Sequence, residues 1–202
     1  MDLSEEDLEY LRKNPDTLSL LRTGQARLVG FAPKPLCWST DDEGNFHVTI
    51  RSNGLTPEQW VQHGKLRGWQ MVYGDEEVLF SAVELPTNNV TRHIVIRPGY
   101  RIHERDRAWR WICYHAQQKG WIKTHWEVGC LIRDTFTDHN LRQMGLLNII
   151  TMHESIKSPK DGSSCLVGSS RSGDGSWFHC SYSSRFFGQG TRDTGFAFEI
   201  PQ

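Results

Sequence analysis

Two short stretches, "FHVTI" at 46–50 and "RHIVI" at 92–96, each carry a histidine within the alternation of a half-buried strand. In the first, His47 and Thr49 are two residues apart. On a strand they project from the same face, where an imidazole and a hydroxyl can grip one phosphate and move a proton to or from it. In the second, Val95 stands at the hydroxyl's position, so His93 would act without that partner. His47, Thr49 and His93 are the residues that could carry phosphodiester chemistry. "HWE" at 125–127 has the His-x-Glu spacing in which a zinc ion activates water and the carboxylate shuttles its proton. The Pro-Cys-x-x-Cys that would complete such a zinc cage does not occur in the chain. Cys113 and His115, two apart in a stretch of helical periodicity, point to different sides and cannot chelate one ion. No metal or other cofactor is expected.

A second set of residues suits recognition rather than catalysis. Between 177 and 186 the chain alternates with period two: Phe178, Cys180, Tyr182, Ser184 and Phe186 share one face, and Trp177, His179, Ser181, Ser183 and Arg185 the other. The first face is core-like and the second polar. Trp177, His179 and Arg185, with Arg192 and Asp193 further on, are the candidate ligand-binding residues. A third set lies in "RHIVIRPGYRIHERDRAWRW", where Arg92, Arg97, Arg101, Arg105, Arg107 and Arg110 alternate with aromatic residues. That mixture suits phosphate contacts plus base stacking, although Glu104 and Asp106 interrupt it and a solvated helix face has the same composition.

The elements that must position these groups are legible to different degrees. "SEEDLEYLRKNP" at 4–15 has an N-cap serine, an acidic first turn and a terminating proline, and predicts a helix followed by a second short apolar piece. "NFHVTIR" and "VTRHIVIR" predict strands, and "TPEQWVQHG" predicts a helix capped by Thr56 with Pro57 at its first position and Gln59 closing a capping box. "WQMVYGDEEVLFSAVEL" predicts a hairpin turning at Gly74–Asp75. "ERDRAWRWICYHAQQKG" predicts a helix with Trp109, Ile112, Cys113 and Ala116 on one stripe, Trp111 and His115 on a second packed face, and Gly120 as its stop. "EVGCLIRD" predicts a buried strand, and "DHNLRQMGLLNIITMHESI" a long helix opened by Asp138.

With 202 residues, 37% of them hydrophobic, the chain can bury an ordinary core, and a net charge of −1 excludes a disordered polyanion and an overall basic nucleic-acid binder. Five cysteines, widely spaced and odd in number, read as buried thiols in a reducing compartment. No apolar run approaches the ~20 residues a bilayer crossing needs. A soluble, cytoplasmic protein is expected, with a virion as the other location, and no membrane partner.

"VGSS" at 167–170, "CSYSSR" at 180–185 and "RDTGFAFEI" at 192–200 resemble the C-terminal pattern of the formylglycine-generating-enzyme-like (sulfatase-modifying-factor) proteins, a divergent branch of the C-type lectin fold. "HWEV" at 125–128 and "DRAWRWICYHAQQKG" at 106–120 are shorter echoes of the same family. The resemblance implies a loop-rich domain displaying a binding face. The family's copper-thiolate chemistry needs two soft ligands held together, and Cys180 has no second cysteine nearby in the sequence. "FHVTI" is similar to the His-x-Thr motif of the two-histidine phosphoesterases, which carry it twice. The expectation is an α+β protein: a small α+β unit over 1–98, then a C-type-lectin-like domain over 99–202, the two being separate or sharing one core. Its expected function is ligand recognition without catalysis, phage- or receptor-associated, with a glycan or protein as ligand. The alternative is a phosphodiesterase using His47, Thr49 and His93, and the third reading is nucleic-acid binding.

Overall fold

A tight turn over Asp41–Asn45, with Gly44 at φ +77°, joins β1 (Ser39–Thr40) to β2 (Phe46–Asn53) in the computed structural model, which describes residues 38–71, 74–172, 175–182 and 192–201. The helix expected at 4–15 and the apolar piece after it lie outside the described residues. β2 alternates as the sequence predicts: Phe46, Val48, Ile50 and Ser52 are buried, and His47, Thr49 and Arg51 point the other way. The helix α1 (Pro57–Leu66) has the expected capping box, Thr56 Oγ1 accepting from Gln59 N and Gln59 Oε1 accepting from Thr56 N, and it buries Trp60 and Val61.

The expected hairpin over 69–85 is not formed. Gln70–Met71 makes a short strand, β3, and Asp75–Phe80 makes a helix, α2. Gly74 at φ +93° turns the chain, three acidic residues fill the first helical turn where the dipole favours them, and Val78 and Leu79 enter the core. β4 (Asn88–Pro98) follows, then two 3-10 turns (Gly99–Arg101 and Glu104–Asp106) and the expected helix α3 (Trp109–Gln118). On α3 only one face is packed: Ile112 and Ala116 are buried, whereas Trp111 and His115 are exposed.

Two further expectations are corrected. "EVGCLIRD" lies in a helix, α4 (Glu127–Thr135), not a strand. Residues 127–133 are all buried, so the helix shows no polar stripe that would separate it from an apolar strand in the sequence. The long helix from Asp138 ends at Gln143: α5 (Asp138–Gln143) is capped by Thr137, Gly145 at φ +69° reverses the chain, and β5 (Asn148–Thr151) begins. β6 (Ile156–Lys157), β7 (Ser164–Ser172), β8 (Gly175–Tyr182) and β9 (Thr194–Ile200) complete the described elements.

Among the described residues nine strands form one mixed sheet in the order β1-β2-β4-β9-β5-β7-β8-β3, with β6 paired to β7. All neighbours are antiparallel except β9 with β5 and β8 with β3. The expected boundary between 98 and 99 falls at the end of β4, and β4 pairs with β9 from His93↔Ile200 to Pro98↔Gly195, so chain from both sides of it shares the sheet. The fold is α+β. One face buries Val48, Ile94, Val167 and Phe178 under α1, α2 and α4. The other buries Val95, Ile150, Phe196 and Phe198 under Ile112 and Ala116 of α3, with Trp121 against Phe198. α4 approaches the sheet so closely that a Cβ on Gly129 would stand 2.3 Å from Val167 Cγ1. No helix among the described residues is long and apolar enough to cross a membrane.

Candidate functional site

His47, Thr49 and His93 are brought together. β2 and β4 are antiparallel neighbours, Thr49 lies opposite His93 and His47 opposite Val95, so the three share the α3 side of the sheet. His47 and His93 are diagonal neighbours, a spacing within reach of long and aromatic side chains. Thr49 Oγ1 and His93 Nδ1 share a hydrogen bond of 3.1 Å. The hydroxyl that Val95 denies to its own strand is thus supplied to His93 from across the ladder. Val95 itself is fully buried under α3. The next row, Arg51 opposite Thr91, continues the same face, and Thr49, Arg51, Thr91 and His93 are exposed.

The turn before β2 braces His47. Its Nε2 lies 2.9 Å from Asp41 Oδ2, and Asp41 also accepts from the backbone N and the Nδ2 of Asn45, both at 2.8 Å. Partial burial works to raise the Asp41 carboxyl, and the bonds from His47 and Asn45 outweigh it, holding the group well below the usual carboxylate range. Glu43 in the same turn bonds Lys119 at the end of α3 and lies 3.3 Å from Arg97 Nη1. The turn, β2 and the C-terminal end of α3 are therefore tied together around the histidine.

The recognition set is distributed differently. Trp177 and His179 lie on the α3 side of β8, opposite Ser170 and Gly168 of β7. The His179 ring fills the space a side chain would take at position 168: a Cβ on Gly168 would stand 2.5 Å from its Cε1 and 3.0 Å from Ile150 Cδ1. Burial pushes the His179 imidazole down to about 4. Arg192 and Asp193 form the exposed turn before β9, where Asp193 O accepts from Leu147 N at 2.8 Å. Trp177, Ser170, Asn148 and Thr194 make one row across β8, β7, β5 and β9, which sets Trp177 about 14 Å from that turn at ~4.8 Å per strand. Arg185 lies outside the described residues, as do Ser183, Ser184 and Phe186.

The six arginines of the basic stretch divide. Arg92 Nη1 is bonded to Glu199 Oε2 at 2.8 Å, Arg97 Nη1 to Asn45 Oδ1 at 2.9 Å, and Arg107 Nε to the carbonyls of Gly99 and Ile102. Arg101, Arg105 and Arg110 are exposed, with Arg110 lying over the Trp111 ring at 5.6 Å.

One polar cluster was not foreseen. Glu127, at the start of α4, is fully buried, and it accepts from Ser52 Oγ at 2.6 Å, from Thr87 N at 3.1 Å and from Thr87 Oγ1, with Arg92 Nε at 3.7 Å. His125 Nδ1 accepts from Glu127 N at 3.3 Å, and Trp126 Nε1 donates to Glu84 O. Burial lowers the His125 imidazole against the pull of Glu127 and Glu84. The "HWE" motif is thus spent on joining α4, β2, β4 and the chain before β4. Among the described residues no group of three or more His, Cys, Asp or Glu side chains could hold a metal ion. The signal for this cluster was present: alternation puts Arg92 on the inner face of β4 if His93 is on the outer, and an inward arginine requires a buried carboxylate. Comparison with protein families, curated proteins and solved structures finds no match to this chain.

Proposed function

We propose that this protein recognises a ligand bearing a phosphate ester and holds it on the open face of β2 and β4. The observation that supports this is the strip itself: His47, Thr49 and His93 side by side, with Arg51 and Thr91 in the next row. Two imidazoles, two hydroxyls and a guanidinium on one flat surface are the donors a phosphate calls for, the guanidinium offering two parallel N–H groups to its oxygens. Asp41, the carboxylate beside His47, is engaged by His47 and Asn45. Recognition of a glycan or protein through Trp177, Arg192 and Asp193 draws on groups spread across four strands, so it is ranked second among binding modes.

One observation favours catalysis on the bound ester. The Thr49 bond fixes His93 through Nδ1 and leaves the opposite ring nitrogen, Nε2, to exchange a proton with the ligand, while Asp41 fixes His47. In that reading an oxygen nucleophile attacks phosphorus, one histidine takes its proton, and the other protonates the departing ester oxygen. The two activities separate in one experiment. The His47 and His93 imidazole NMR signals are followed during titration with phenyl phosphate, and bis(p-nitrophenyl) phosphate is assayed for turnover. Arg51→Ala and His93→Ala should each weaken binding by about tenfold. Any turnover should fall about a hundredfold or more in His93→Ala. Binding without turnover retains recognition and removes catalysis; imidazole signals that do not move at saturating phenyl phosphate remove both.

A further inference from the structure

Resting on the phosphate-ester reading of the strip, we infer that the ligand is a single-stranded nucleic acid, whose bases lie along the outer ridge of α3 while its backbone reaches the His47–His93 strip. Trp111, His115 and Lys119 follow one another at four-residue intervals and so form one ridge of the helix. Trp111 is 39% and Tyr114 49% exposed, unusual for large aromatic side chains on a helix whose other face is packed. Tyr114 stands edge-on to Trp111 with centroids 5.9 Å apart and to His115 with centroids 5.8 Å apart, so three exposed rings make one continuous surface. Arg110 covers part of the Trp111 ring, and exposed Arg101 and Arg105 precede it in the chain, with Glu104 before Arg105 and Asp106 after it. Exposed rings interleaved with guanidinium groups fit bases and phosphates in alternation, a composition that a second protein surface would not specifically require.

The ridge leads to the strip. Lys119, at its end, is bonded to Glu43 in the turn whose Asp41 holds His47. α3 packs on the sheet face that carries His47, Thr49 and His93. From Trp111 to Lys119 the helix rises about 12 Å, the length of three to four stacked nucleotides at ~3.4 Å each. A single strand is required, because paired bases would not present their faces to the rings.

The test is fluorescence anisotropy of labelled oligouridylate and oligothymidylate of roughly ten nucleotides, the order of site size for such platforms. The full chain is compared with Trp111→Ala/Tyr114→Ala and Arg110→Ala, all three positions being solvent-exposed. Phenyl phosphate binding at the histidines is measured in parallel on each. The expected result is salt-sensitive oligonucleotide binding that weakens about tenfold or more in the double variant, with phenyl phosphate binding unchanged. Oligonucleotide binding equal in wild type and double variant, or an equal preference for a blunt duplex, overturns the inference. Phenyl phosphate bound through His93 with no oligonucleotide bound also overturns it while leaving the proposed function standing, and the loss of both removes the two together.

Discussion

His153 should make the fold acid-sensitive in a defined pH window. The residue is buried just after β5, where its Nε2 accepts from Val167 N at 2.8 Å and its Nδ1 donates to Glu154 O at 2.6 Å. Both ring nitrogens are satisfied only in the neutral form, since a proton on Nε2 would face the Val167 N–H. Burial, aided by neighbouring His125, pushes the imidazole down from 6.5 to about 4. The unfolded chain therefore takes up a proton as pH falls through 6.5, and the folded chain does not until about 4. The contribution is complete above 6.5 and is lost progressively between 6.5 and 4, about 1.4 kcal/mol per pH unit and roughly 3 kcal/mol in all. That is a large part of the 5–15 kcal/mol, roughly, by which domains are stable. His179 acts in the same direction over the same window, whereas Asp41, whose carboxyl is depressed, loses its contribution only below its ordinary value of 3.8. Urea unfolding at pH 7, 6, 5 and 4.5 of wild type and His153→Gln isolates the residue. The variant is less stable at pH 7, but the gap should narrow by about 2–3 kcal/mol towards pH 4.5. Parallel pH profiles for the two proteins would refute the reasoning.

Two other outcomes follow from buried groups. Glu127→Ala leaves Arg92, Ser52 Oγ and Thr87 N facing a void, and should cost about 3–5 kcal/mol in urea unfolding, whereas Glu43→Ala, in the exposed and solvent-screened Lys119 pair, should leave the unfolding midpoint nearly unchanged. Burial pushes the Cys130 and Cys180 thiols well above their usual range, so among the described cysteines a thiol reagent should modify half-exposed Cys113 in native protein and reach Cys130 and Cys180 only on addition of denaturant; early labelling of Cys130 would contradict the packing of α4.

What could be read from the sequence was whatever depends on near neighbours. The capping box at Thr56 and Gln59, the alternation of β2 and the inward stripe Ile112–Ala116 of α3 are each decided within a few residues, and each is formed. α4 reads as a strand in the sequence because periodicity reports a helix only when one side meets water, and residues 127–133 are buried throughout. α5 is shorter than the expected helix because the backbone of Gly145, at φ +69°, reverses the chain just past it and frees Asn148–Thr151 to pair with β7 and β9. The parallel pairing of β3 with β8, more than a hundred residues later, has no local signature at all. The candidate site divides in the same way. That His47 and Thr49 share a face follows from their spacing; that His93 meets Thr49 depends on the register of two strands joined through two helices.

That register is not set by the strip it serves. The Thr49–His93 hydrogen bond is exposed and contributes at most about 1 kcal/mol. A slip of β4 by one residue would turn every side chain to the other face, bringing His93 into the core and Arg92 into water. Arg92 cannot leave cheaply: it lies between Glu199 and Glu127, and Glu127 is fully buried with Ser52 and Thr87 bonded to it. Stranding that carboxylate costs several kcal/mol, several times what the exposed bond contributes. Ile94 and Ile96 on the same side, and Val95 under α3 on the other, fix the same phase. The outward residues of β4 are thus free to be chosen for chemistry, because the inward ones already determine where they stand. A histidine at position 93 is positioned by an arginine at 92, and the His47–Thr49–His93 strip inherits its geometry from the polar network on the opposite face of the sheet.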